Sequence, residues 1–196
     1  MNESAPRSLE LHEKELTSVP ESVGGMTSLE ELSLWRNQLT ALPDFVWDLT
    51  SLRVLNASEN KLSSLSEKIG RLTRLETLDI GHNELTSLPE AIGSLPLRTF
   101  LYVSHNRLKS LPDSIGRLGR LIHLDLRNNR LRSLPASLGA LKKLRHLDLR
   151  SNRLTSVPEV VRALEGLEKL DLRWNRVGPL PDWLRRREQD GCTVYC

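Results

Sequence analysis

Along the chain, leucine falls at fixed intervals among polar residues, and the set of intervals itself repeats. Residues 118–138 carry Leu118, Leu121, Leu124, Leu126, Asn129, Leu131, Leu134, Pro135 and Leu138. The same frame recurs around Asn37, Asn60, Asn83, Asn106, Asn129, Asn152 and Asn175, each 23 residues from the last. Paired leucines such as Leu32 and Leu34, or Leu170 and Leu172, have the period of two that puts both side chains on one face of a short strand. The Leu-Pro pair that follows turns the chain, because proline fixes its own φ and disfavours the α region for the residue before it. The next segment, for example 112–118, has apolar residues three apart and predicts a short 3₁₀ or single α turn.

One strand, one turn and one return cannot bury their leucines alone. Neighbouring units must stack, and their strands form a parallel sheet on one side of a curved α/β solenoid. The frame LxxLxLxxNxLxxLPxxIGxL resembles the leucine-rich repeat, in the 23-residue class of bacterial leucine-rich repeat proteins and of the Ras-suppressor and Scribble-type proteins of animals. The resemblance runs from about Ser8 to Pro181. It implies a right-handed solenoid of about eight repeats, with strands on the concave face and 3₁₀ or α turns on the convex face. It also implies a binding habit rather than a reaction: a module for a protein partner, such as a small GTPase or other signalling protein, or a host protein if the chain is a delivered bacterial effector. On this reading 1–196 is a single solenoid, with 1–7 a flexible N-terminus and 182–196 a C-terminal cap. The ending is similar to the closing segment of bacterial members. Residues 185–190 read as the polar end of a short helix, Gly191 as its terminal turn and 192–194 as an edge strand.

Departures from the frame carry information. Lys14 stands where the first Asn is due, Ala57 and Ser66 replace a leucine and a proline in the third unit, and Arg98 falls on a leucine position. A buried guanidinium is costly. The stretch 95–100 is therefore expected to bulge, with Leu97 filling the core and Arg98 escaping.

Composition agrees with a repeated unit: 41 of the residues are leucine, while aromatics make up 4%. No run approaches the roughly 18 apolar residues needed to cross a bilayer, and residues 1–6 show no apolar leader core, so a soluble, cytoplasmic monomer is expected. Cys192 and Cys196 cannot hold a disulfide framework. Cys192 is expected to point inward, and a bridge between the two stays open at this point. The net charge of +3 hides a polarity, since residues 1–98 carry 9 Lys and Arg against 15 Asp and Glu, and residues 99–196 carry 19 against 10. Stacked in order, the units form an electric dipole.

The repeated Asn amide has two donors and an acceptor, enough to serve backbone groups in its own turn and the next, so the seven are expected to form an internal structural ladder. Positions six, four and two before each Asn line up on the concave face. They bring Phe100 and Tyr102 to its centre, with His123, Arg127, His146, Arg150 and Arg173 as further partner-binding candidates and Trp35 and Trp174 near the rim, because aromatics and arginine dominate interface hot spots. Phe100 has a second possible place, as core within the Arg98 bulge. Asp125, Asp148 and Asp171 are expected to neutralise Arg127, Arg150 and Arg173 laterally on a solvated face. A basic ridge just after each Asn, Arg107, Arg130, Arg153 and Arg176, reads as free of acidic companions. It supports the alternative function, nucleic-acid or other polyanion binding. His123, His146, Asp125 and Asp148 are zinc-ligand types, yet copying one repeat produces the same square, and no metal or cofactor is expected. Ser104, His123 and Asp125 make a catalytic set on paper only, since an open sheet offers no oxyanion pocket. No enzymatic activity is expected.

Overall fold

The computed structural model describes residues 6–196. It contains nine three-residue strands: β1 (Ser8–Glu10), β2 (Glu31–Ser33), β3 (Val54–Asn56), β4 (Thr77–Asp79), β5 (Phe100–Tyr102), β6 (His123–Asp125), β7 (His146–Asp148), β8 (Lys169–Asp171) and β9 (Thr193–Tyr195). They pair in parallel, in chain order. Each central residue points into the core and its two neighbours face outward, as the alternation of a strand requires. From β1 to β8 the register advances 23 residues per strand, aligning Leu32, Leu55 and Leu78.

Opposite the sheet lie seven five-residue 3₁₀ turns, Glu21–Gly25, Asp44–Asp48, Glu67–Arg71, Glu90–Ser94, Asp113–Arg117, Ala136–Ala140 and Glu159–Ala163. Six follow a proline whose φ lies between −57° and −69°. In the third unit Ser66 does the same work differently, its hydroxyl accepting the Lys68 N–H at 3.2 Å. The leucines between the two layers are almost wholly buried, and Trp47 joins them from the second turn. Among the described residues no helix is long and apolar enough to cross a membrane.

The ladder of asparagines forms inside, with one correction. Asn60 donates to Ala57 O (3.2 Å) in its own turn and to Leu34 O (2.9 Å), and accepts the Leu39 N–H at 3.0 Å. The neighbour served is the preceding repeat, not the next. The residue before each ladder Asn is left-handed, with φ between 50° and 58° at Arg36, Glu59, His82, His105, Asn128, Ser151 and Trp174. None of these is glycine, so the frame gave no signal of it. This conformation costs about 1–3 kcal/mol per residue unless the surroundings hold it, and the Asn bonds beside it do so.

The bulge at Arg98 forms as expected: Leu97 is buried and Arg98 exposed. Leu95 has ψ 139°, where equivalent residues have 46° to 74°. The straighter chain reaches the strand one residue early, so the Arg98 N–H bonds to Glu76 O at 3.1 Å. At the other end, helix α1 (Asp182–Gln189) buries Leu184, Gly191 turns with φ 100°, and β9 pairs with β8 one residue later than the expected edge strand. Cys192 is buried, Cys196 exposed, and both are free thiols. Of the N-terminus expected to be flexible, residues 1–5 lie outside the described residues. Arg7 is held, its carbonyl accepting the Glu30 and Glu31 N–H groups at 2.7 and 2.9 Å.

Candidate functional site

The register builds the concave face in columns. One runs Glu31, Val54, Thr77, Phe100, His123, His146, Lys169, and beside it runs Ser33, Asn56, Asp79, Tyr102, Asp125, Asp148, Asp171. Phe100 stands on this face, not in the core of the bulge. Its ring stacks on Tyr102 (5.1 Å between centroids) and on His123 (4.5 Å), and His123 meets His146 edge-on at 4.3 Å. Burial holds the His123 imidazole below its ordinary pKa, with His146 adding to the shift. Burial raises the Tyr102 phenol, helped by Asp79 and Asp125 on either side.

The aspartate column is not the solvated face expected. Asp79, Asp125, Asp148 and Asp171 each accept the backbone N–H two residues on, from Gly81 (2.9 Å), Arg127 (3.1 Å), Arg150 (3.1 Å) and Arg173 (3.2 Å). Asn56 does the same for Ser58 at 3.0 Å. These side chains cap the amide that leaves the strand. Neutralisation runs chiefly along the chain: Arg150 grips Asp148 at 2.5 and 3.0 Å, and Arg173 grips Asp171 at 2.6 Å. One lateral contact, Arg150 to Asp171 at 3.4 Å, joins neighbouring strands. Arg127 stays 3.4 Å from Asp125, too far for a hydrogen bond of good geometry. The Asp171 side chain is 3% exposed. Burial raises its pKa, but the Arg173 bonds outweigh burial and lower it overall.

Among the described residues no three His, Cys, Asp or Glu side chains converge on a metal position. Ser104, the paper nucleophile, is buried. The basic ridge needs a correction too. Glu84 occupies the same offset one repeat before Arg107 and lies 3.1 Å from it, whereas Arg130, Arg153 and Arg176 are exposed and carry no ion pair among the described residues. Trp35 and Trp174 sit near opposite ends of the solenoid, and Trp174 is 70% exposed. They cannot share a patch.

Two features escaped the sequence. Tyr195 on β9 lies beside Asp171 in the second column, with Arg173 4.8 Å and Lys169 5.4 Å from its ring centroid. The β8–β9 step is 24 residues, Leu170 to Val194, so a strict count of 23 passes over it. His82 and His105 stack at 3.9 Å, and Asn128 bonds His105 at 2.9 Å. Tabulating the residue before each Asn would have shown that column.

Comparisons with known proteins agree with this geometry. The leucine rich repeat family model matches residues 7–62, 99–154 and 119–177, and a two-copy leucine rich repeat model matches 50–94. Comparison with curated proteins returned no match. Matching solved structures number 420 chains, so the fold by itself nominates no partner. A leucine-rich repeat protein of Leptospira interrogans is 30% identical with a TM-score of 0.71, over 93% of this chain and 52% of that one. The Arabidopsis receptor kinase HAESA, solved with the peptide hormone IDA and the co-receptor SERK1, is 27% identical (TM-score 0.77) over 92% of this chain and 32% of that one. A chain of the Drosophila Toll–Spatzle complex is 26% identical (TM-score 0.78), over 88% and 25%. The chain thus spans about half of the Leptospira protein and a third or less of the other two. The family is generally a non-enzymatic binding scaffold. With its 23-residue frame, asparagine ladder and nine-stranded concave sheet, the chain belongs to the leucine-rich repeat proteins.

Proposed function

We propose that this chain is a non-enzymatic binding module that holds a protein partner on its concave sheet. The observation that carries the reading is the Phe100, Tyr102 and His123 stack, partly exposed at the middle of an unbroken parallel sheet. Aromatics in such a place are rigid and lose little entropy on binding, which is why they recur as hot spots. His146, Arg127, Arg150 and Arg173 extend the surface, and Trp35 and Trp174 mark its ends. Two free cysteines suit a reducing compartment, and the proposal places the chain in the cytoplasm as a monomer. A small GTPase or other signalling protein, or a host protein met by a delivered effector, are the partner classes the resemblance implies. Capture from native lysates would separate them. Changing Phe100 and Tyr102 to alanine should weaken a captured partner by about 2 kcal/mol or more with an unchanged melting temperature. Unchanged affinity would remove the concave centre from the site.

The three unpaired ridge arginines, Arg130, Arg153 and Arg176, favour a second reading, in which the C-terminal half binds nucleic acid or another polyanion. Salt decides between the two. A polyanion complex weakens steeply as salt rises, while an aromatic-centred interface does not.

A further inference from the structure

Between Ser8 on β1 and Thr193 on β9, the first concave column carries a charge near each end and an aromatic ring at its midpoint. Glu31 is on β2, Phe100 on β5 and Lys169 on β8, so each charge is three strands from the ring. Glu31 opens on a depression of about 360 Å³ over β1–β3, lined by His12, Trp35, Val54 and the carboxylates of Glu10 and Glu31; no lysine or arginine is among its walls, and its imidazole, His12, is bonded to Glu10 at 2.9 Å, which leaves Glu31 as the unpaired carboxylate. Glu31 carries no ion pair among the described residues, its nearest bond being the Ser8 hydroxyl at 3.5 Å. The Arg36 guanidinium, paired with Glu13 at 2.6 Å, lies over the Trp35 ring, 5.8 Å from its centroid, and neither Arg36 nor Glu13 lines the depression.

Lys169 opens on a second depression, about 300 Å³ over β5–β8, whose walls include Arg127, Arg150 and His146. Two of the three aspartates there are committed, while the third, Asp125, lies 3.4 Å from Arg127. Asp148 and Asp171 are already bonded to Arg150 and Arg173 and are 23% and 3% exposed. Lys169 is exposed and without an ion pair among the described residues. One end of the column therefore offers an unpaired carboxylate in the same depression as an indole, two groups that attract a cation. The other end offers an ammonium to an anion.

Strands about 4.8 Å apart place Glu31 and Lys169 about 29 Å from each other along the sheet, and an extended chain at about 3.3 Å per residue covers that in about nine residues. We propose that the column reads one extended polypeptide segment, with arginine or lysine against Glu31 and Trp35, an apolar side chain on Phe100, and aspartate or glutamate at Lys169, the charges about nine residues apart. This rests on the concave-face reading above and adds the partner's charge order and spacing. A nucleic acid would meet Glu10 and Glu31 as like charges, so the acidic end of the column speaks against it.

The test is selection of random 12-residue peptides displayed against the intact chain, followed by affinity measurements on the variants. Selected sequences should place a basic and an acidic residue eight to ten positions apart around an apolar one. Glu31→Gln and Lys169→Gln should each weaken them about three- to fivefold, and Phe100→Ala should weaken them more. Glu31→Lys should turn the preference toward peptides acidic at both ends, an outcome independent of peptide direction. Glu31 and Lys169 are exposed, so unchanged melting temperatures should accompany these effects. Binders that need Phe100 but ignore both charge variants, or lack the spaced charges, overturn this inference and leave the concave-face reading standing. Binders indifferent to all three changes, or a selection that yields none, overturn both.

Discussion

Asp79 sits where a carboxylate is costly. Its pKa is raised, first by burial, against the opposing pull of the Gly81 N–H, and no lysine or arginine pairs with it among the described residues. The folded state therefore holds the Asp79 proton more tightly than the unfolded state does. Its stabilising effect is present below the ordinary carboxylate pKa and is lost as pH rises through the raised folded value. The neighbouring repeat indicates a remedy, since Asn56 fills the same position and accepts both the Ser58 N–H (3.0 Å) and the Ser58 hydroxyl (2.6 Å) without a charge. Asp79→Asn should keep the Gly81 bond and stabilise the protein by about 1 kcal/mol at pH 7. The gain should shrink as pH falls below the carboxylate range. Urea unfolding of both chains at pH 7 and at pH 4 checks the sign, and a variant less stable at pH 7 would show that the charge itself is needed.

At the scale of the element, the seven 3₁₀ turns pack against one another more tightly than the leucine pattern alone suggests. A Cβ on Gly93 would lie 2.3 Å from Ser114 O, and one on Gly116 would lie 2.2 Å from Ser137 O. Backbone oxygens cannot retreat as a side-chain tip can. Gly116→Ala should thus cost about 1–3 kcal/mol, as overpacking does, whereas Gly25→Ala, with nothing within 4 Å, should fall within about 0.5 kcal/mol. Thermal melts of the two variants give the comparison, and equal melting temperatures would mean that the turns can slide apart. Strands and turns were legible because each repeat states the same apolar period again. Arg98 was legible because a charge on a core position has few escapes. What stayed hidden breaks no pattern: a left-handed residue before each Asn with no glycine to mark it, and an aspartate column that looks solvated until its backbone partners are seen. The central aromatic pair was legible from register alone. Tyr195, which ends the second column, was not assembled with it, because β9 enters 24 residues after β8.

The whole molecule is a stack in which each repeat touches only its neighbours, so stability is a chain of interface terms and both ends need cover. At the C-terminal end that cover is specific. Leu170, Leu172 and Leu184 are fully buried and Cys192 nearly so. β9 is bonded to β8 through Leu172 N–H to Tyr195 O at 2.7 Å and Thr193 N–H to Glu168 O at 2.8 Å. Arg187 ties α1 to the last turn, donating to Leu164 O at 2.6 Å and Arg162 O at 3.1 Å. Ending the chain after Leu180 would remove all of these contacts and expose two leucines, each worth about 1.5–3 kcal/mol of burial. The expected loss is about 3–6 kcal/mol, accompanied by association through the bared edge of β8. Because coupling is between neighbours, the damage should be graded. Amide exchange should quicken most around β8 and β7 and least around β2 and β3, whereas deleting Cys196 alone, an exposed terminal residue, should leave stability within about 0.5 kcal/mol. A truncated chain that stays monomeric, melts at the parent temperature and exchanges uniformly would show that α1 and β9 are an appendage to the solenoid rather than its cap.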